Sequence, residues 1–308
     1  MCFRITGKSY RWLLAVIILW LSVTGSVRAE LAVIGGLTRE YTITAGGQYF
    51  GQIFLENKSQ QPLTVKIYQK DYFFQAGGRV IYADPGTVPR SNAAWFSFSE
   101  EQLTIPPGER LPAAYTITVP LKANNLLNWP DFFAERPDLL KYGGKEEFAD
   151  QKPDFELRGT YWSLLMVEPI DSGLNTEYQK EEVTVNIKQT VRRGIQLVTQ
   201  IGDTGQRELK IVDRKLSKIA VGHYLFQLDI ENSGESWLRP DIWAEIYDRQ
   251  EGNLVARIDC GYWRLFPRTS RRLDLKLKDY PPGTFKIIVI IDNGDEHLWG
   301  AGYSLELK

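Results

Sequence analysis

From residue 31 onward, apolar and polar positions alternate in short runs and do not recur at helical spacing. Tyr49–Leu55, Leu63–Tyr68 and Tyr115–Val119 are β-branched and aromatic stretches, bounded by the turn-forming segments Glu56–Ser59, Ala76–Gly78 and Pro106–Gly108. A period of two, broken every few residues by Gly, Pro, Asn or Ser, predicts short antiparallel strands with one buried face, as in a sandwich or barrel.

The same plan occurs twice. Ile53–Asn57 leads through a polar turn to Leu63 and Ile67, and Leu228–Asn232 leads to Leu238 and Ile242 at the same spacing. Each half then passes a Pro-containing turn, Pro106-Pro107-Gly108 or Phe266-Pro267. Each enters a late strand through Gly-Thr-aromatic, Gly159-Thr160-Tyr161 or Gly283-Thr284-Phe285, and each ends on an alternating strand, Val183–Ile187 or Tyr303–Leu307. Four landmarks in one order predict an all-β chain of two tandem immunoglobulin-like sandwiches, residues 30–193 and 194–308.

Two stretches depart from the pattern. Arg4, Lys8 and Arg11 precede an apolar run from Trp12 to Val23, and Val27-Arg28-Ala29 offers small residues for cleavage before Glu30, so residues 1–29 read as a secretory signal peptide. The run is shorter than the roughly 20 residues a spanning helix needs, and no membrane span is expected after cleavage. The second departure is an insertion at about 121–158 in the first sandwich, which carries Trp129, Phe132 and Phe133. A long segment inside a compact domain is usually functional or disordered, and this one is too apolar for plain disorder. It is either a flap that caps the sandwich or a partner-binding element.

Composition narrows the chemistry. The chain of 308 residues is 43% hydrophobic and 24% charged, as expected of packed domains. Loss of the leader removes four basic residues, leaving 33 Lys+Arg against 38 Asp+Glu, so nothing resembles a nucleic-acid binder's basic footprint. Cys2 leaves with the leader and Cys260 remains alone, which reads as an inert buried thiol rather than one that joins two chains. The two histidines, His223 and His297, lie in no metal-ligand pattern, and no nucleophile elbow, phosphate loop or dinucleotide fingerprint is present. No catalytic residue, metal or cofactor is therefore expected. Asp71, Asp84, Asp241, Asp248, Asp259 and Asp292 are candidates for a glycosidase pair, which needs two carboxyl groups roughly 5–10 Å apart, but strand-end Asp residues ordinarily cap turns.

Glu182–Val191, followed by Arg192-Arg193-Gly194-Ile195-Gln196-Leu197, resembles the interdomain strand of periplasmic pilus chaperones, which are secreted pairs of immunoglobulin-like domains. The resemblance implies donation of Val183, Val185 and Ile187 to an incomplete partner sandwich by β-augmentation. It also implies that Arg192 or Arg193 anchors the partner's terminal carboxylate in a basic cleft, with Arg39 as a second anchor. The insertion is foreign to those chaperones, and Pro169–Glu181 is more polar than a donor strand with long apolar reach. The chain is equally similar to extracytoplasmic scaffolds and adhesins built from tandem sandwiches. The leading expectation is a non-enzymatic periplasmic or extracellular assembly factor that binds protein subunits of a surface structure. The alternative is a cell-surface scaffold or adhesin that binds protein or glycan through Trp129, Phe132 and Phe133.

Overall fold

The computed structural model describes residues 31–122, 129–137, 139, 156–170, 174–180, 183–189, 191–249 and 252–308, with backbone alone for 129–130, 174–180 and 183–189. The expected signal peptide and most of the insertion lie outside these residues. Among the described residues, no helix is long and apolar enough to cross a membrane.

The first half contributes β1 (Leu31–Ile34), β2 (Thr38–Ile43), β3 (Gln48–Asn57), β4 (Leu63–Phe74), β5 (Val80–Ala83), β6 (Phe96–Phe98), β7 (Gln102–Ile105) and β8 (Arg110–Thr118), then helix α1 (Trp129–Ala134). After it come β9 (Gly159–Pro169), β10 (Leu174–Lys180), β11 (Val183–Gln189) and β12 (Arg193–Ile201). One sheet runs β1-β3-β8-β6 and the other β2-β12-β9-β4-β5, with β7 also on β4. The second half folds as β13 (Leu209–Ala220), β14 (His223–Asn232), β15 (Asp241–Asp248), β16 (Leu254–Tyr262), β17 (Ser270–Leu277), β18 (Gly283–Asp292) and β19 (Leu298–Leu307). Its sheets are β13-β14-β17 and β16-β15-β18-β19. The chain is all-β with two immunoglobulin-like sandwiches.

Alternation does the sorting. In β18, Phe285, Ile287, Val289 and Ile291 are buried while their neighbours are not, as a sheet with one wet face requires. β9 behaves differently, with seven consecutive buried residues from Gly159 to Leu165. Its Tyr161, Leu165 and Val167 enter the first sandwich's core. Trp162 and Leu164 enter a second cluster that includes the whole core of the other sandwich. The second domain therefore packs on the outer face of the sheet that holds β9 and β12.

The duplication is atomic as well as topological. Asn57 Nδ2 donates to Gln61 O at 2.7 Å and Ile105 O at 2.9 Å. Asn232 Nδ2 donates to Ser236 O at 2.8 Å and Leu265 O at 2.9 Å. Each side-chain oxygen accepts an N–H two residues on, from Ser59 or Gly234. A buried Asx turn thus ties the end of β3 and of β14 to the strand across the core.

The junction differs from the expected one. Arg193 and Gly194 open β12, which is hydrogen-bonded between β2 and β9 in the first sandwich. Ile195 and Leu197 are fully buried in that core, so they close the first domain, and the crossing falls in residues 202–208. The crossing is tightly held: Thr160 N donates to Glu235 O at 2.9 Å, Trp237 N to Thr160 Oγ1 at 2.9 Å, and Ala76 N to Ser270 Oγ at 2.9 Å.

Candidate functional site

β9 and β12 form the two arms of one hairpin. Inside the sandwich they pair from Arg193↔Val167 to Ile201↔Gly159. Beyond it the arms continue as β10 and β11, paired from Leu174↔Gln189 to Lys180↔Val183. Among the described residues this distal pair joins neither sandwich and forms a two-stranded sheet of its own. β2 covers β12 only from Gln196 to Ile201, so the outer edge of the β11–β12 arm has no partner strand from Val183 to Ile195 in the described residues.

A two-residue period places Val183, Val185 and Ile187 on one face of the hairpin. The register sets Lys180, Tyr178 and Thr176 directly opposite them on the same face. Thr184, Asn186 and Lys188 share the other face with Gln179, Glu177 and Asn175. The strand expected to donate apolar side chains is thus an edge strand among the described residues.

At the root of the hairpin Arg192 Nε lies 2.9 Å from Glu168 Oε1, and the Tyr68 hydroxyl donates to Glu168 Oε2 at 2.8 Å. Burial, reinforced by the adjacent carboxylate, holds the Tyr68 phenol above its ordinary range. Arg192 remains more than half exposed.

Arg39, expected as a second anchor, is held by backbone carbonyls at the start of β2. Its guanidinium donates to the carbonyls of Ile34, Gly35, Gly36 and Thr38 at 2.7, 2.6, 3.1 and 3.2 Å. These close the passage where the chain leaves β1 for the opposite sheet, with Gly35 and Gly36 at φ 84° and 85°. Arg39 is committed to that crossover.

A cleft of about 650 Å³ lies between the sandwiches, lined by Glu40, Gln200, Arg207, Trp237, Arg239 and Asp295 among others. Arg192 and Arg193 are not among its lining residues. Its cations are Arg207 and Arg239, and both are already paired: Arg239 with Glu40 at 3.1 Å across the domains, Arg207 with Asp203 at 3.4 Å and Asp295 at 3.6 Å. Sequence reasoning missed this pair of arginines, because Glu40 and Arg239 are far apart in the chain and meet only through the fold.

Two of the insertion's aromatic residues, Phe132 and Phe133, are buried against the first sandwich. Phe132 and Phe133 are 0% and 3% exposed. Their rings lie edge-on to Phe73 of β4 at 5.2 and 6.0 Å. Apolar mass that the sequence leaves unassigned is here a plug on the inner end of β4, further tied by Gln75 Nε2 donating to Leu139 O at 2.7 Å. The Trp129 side chain lies outside the described residues.

Several of the candidate carboxylates cap turns or accept buried hydrogen bonds. Asp71 accepts from Ser91 Oγ and Val88 N, and burial lifts its carboxyl above the usual range. Asp259 and Asp292 cap turns at Gly261 and Gly294. Asp295, Glu296 and His297 form the one group of metal-capable side chains among the described residues, but Asn293 and Arg207 already occupy the Asp295 carboxylate. Burial, then Asp259, pushes the Cys260 thiol up to about 11, which removes it from nucleophilic use near neutrality.

No protein-family model matches the sequence, and no curated protein matches it. Among solved structures the chain is similar to the class 5 fimbriae chaperone CfaA, at 11% identity and a TM-score of 0.43, over 90% of this chain and 100% of that one. It is also similar to the CsuC–CsuE chaperone–tip subunit pre-assembly complex of archaic chaperone-usher Csu pili from Acinetobacter baumannii, at 11% identity, TM-score 0.40, over 88% of this chain and 98% of that one. The E. coli chaperone DraB aligns at 13% identity and TM-score 0.35, over 90% of this chain and 98% of that one.

Proposed function

We propose that this chain is an extracytoplasmic, chaperone-like assembly factor that binds protein subunits of a surface structure by β-strand addition along β11. The reading rests on one observation: a hairpin rooted in the first sandwich continues past it as β10–β11, with an unpaired outer edge and Val183, Val185 and Ile187 on a common face. An edge of this kind supplies main-chain donors and acceptors to an incoming strand, while alternate side chains set its register. Rigid rooting matters, because a donor strand that is already extended has less conformational entropy to lose on binding. Arg192 or Arg193, at the root of the hairpin, would then hold a partner's carboxylate. The role calls for no bond-breaking chemistry.

The test is co-purification from a native envelope extract with wild type and with a Val185→Asp, Ile187→Asp double variant. Both substitutions sit on the hairpin outside the sandwiches, so thermal melting should be unchanged. Recovery of a β-rich subunit with wild type alone supports strand addition at β11. Equal recovery with both proteins contradicts it.

A further inference from the structure

The edges of the two sandwiches are defended in almost every case. β1, β5, β6 and β7 are three or four residues long. β13 carries Lys210, Asp213, Arg214, Lys215 and Lys218 and two register shifts. β16 carries Arg257 and Asp259 and two shifts. β17 carries Arg271, Arg272, Asp274 and Lys276. β2 is capped from the second domain by Arg239 on Glu40 and Arg264 on Thr38. Short length, charge and bulges are the usual devices that stop a sheet edge from pairing with another chain.

β19 has none of them. It is a ten-residue edge strand, pairs with β18 without a register shift, and has neither proline nor charge from Leu298 to Leu305. Gly300 and Gly302 leave its outward face bare opposite Ile290 and Ile288. Neither glycine is demanded by packing: a Cβ at Gly302 would meet Lys286 Cε at 3.8 Å, and one at Gly300 would meet Val289 O at 3.6 Å, which are ordinary contacts. Of the cations beside the strand, Arg214 lies over the Tyr303 ring at 4.9 Å, Lys218 donates to the Lys308 carbonyl, and Arg249 Nη1 donates to Ser304 Oγ at 3.2 Å on the outward face.

We propose that β19 pairs antiparallel with β19 of a second copy, centred on Gly302, so that two four-stranded sheets become one of eight strands. Charge complementarity selects a second copy as the occupant. With the dyad at Gly302, Lys308 of each chain stands opposite Glu296 of the other; both side chains are more than three-quarters exposed, and each would exchange a loose intrachain partner, Glu306 at 3.8 Å or His297 at 3.6 Å, for the other. The dyad also sets glycine against glycine, which lets the backbones approach without side-chain interference. The contact is isologous and closes after two chains.

The experiment is sedimentation equilibrium of the mature chain up to about 1 mM, the weak end of measurable association. Wild type should show a monomer–dimer equilibrium. Gly302→Glu, which sets one carboxylate against its own copy across the dyad, should leave only monomer with an unchanged melt at low concentration. Lys308→Glu should weaken dimerisation about tenfold through two symmetric pairs, and Lys308→Glu with Glu296→Lys should restore it. Val185→Asp, Ile187→Asp should have no effect, which separates this edge from β11. A wild type monomeric throughout, a dimer that survives Gly302→Glu, or a charge swap that fails to restore association overturns the proposal.

Discussion

The Trp162 indole of the first sandwich and the Phe266 ring of the second stack at 4.9 Å with 17° between their planes. Phe266 also stacks on Trp237 and meets Tyr72 and Phe74 edge-on, so one fully buried ring joins both domains' aromatic residues. Edge-to-face and offset pairs of this kind add to the burial itself. The two domains therefore share one buried aromatic cluster beside the cleft.

Phe266→Ala should cost about 3–5 kcal/mol, as for a large aromatic core truncation. Scanning calorimetry of wild type should give one transition, and the variant should separate into two as the domains uncouple. A single unshifted transition in the variant would mean that the ring does not join them.

Gly159 sits at the interdomain seam with φ 70°, and a Cβ there would lie 2.2 Å from Glu235 O. Gly159→Ala pays for left-handed backbone, about 1–3 kcal/mol, and forces the seam apart as well. A lowered denaturation midpoint is expected, with loss of amide protection at Thr160 and Trp237. An unchanged midpoint would contradict the seam's tightness.

Phe132→Ala and Phe133→Ala should each destabilise by about 3–5 kcal/mol, because both rings plug the end of β4. Partner recovery per folded molecule should stay constant. Reduced recovery at unchanged stability would return these residues to a surface role.

Glu231 is 3% exposed, and burial pushes its carboxyl up to about 7 despite Arg268 at 4.0 Å and the nearby Lys210. Its folded value lies above the unfolded one, so the native state holds a proton that the unfolded chain has lost. The contribution of Glu231 to stability is therefore full below about pH 4.5 and is lost as pH rises towards 7, by about 3 kcal/mol at most. Glu231→Gln should remove that slope in urea melts between pH 5 and 8. Parallel wild-type and variant profiles would show that the group titrates normally.

The repeated sandwich was legible because Asn57 and Asn232 do the same work at the same spacing, and because buried and exposed positions alternate in β3 and β18. The junction was not. Alternation in Val183–Ile187 reads alike whether a strand closes a sandwich or extends a hairpin beyond it. Leu197 and Val198 are buried on opposite faces of β12, one in each hydrophobic cluster, so the true closing strand lacks the expected alternation. Phe132 and Phe133 show the limit of composition, since apolar residues in an insertion look the same in a core and on a docking surface. Arg39 carries no local mark of the four carbonyls it gathers.

The most direct measurement is amide hydrogen exchange across β10, β11 and β12, with and without a captured subunit. Strand addition predicts new protection at alternate amides from Val183 to Ile195, where no partner strand is present in the described residues of the free chain, and little change in β10. Protection confined to β10, to the interdomain cleft or to the second sandwich would contradict β11 as the donor edge.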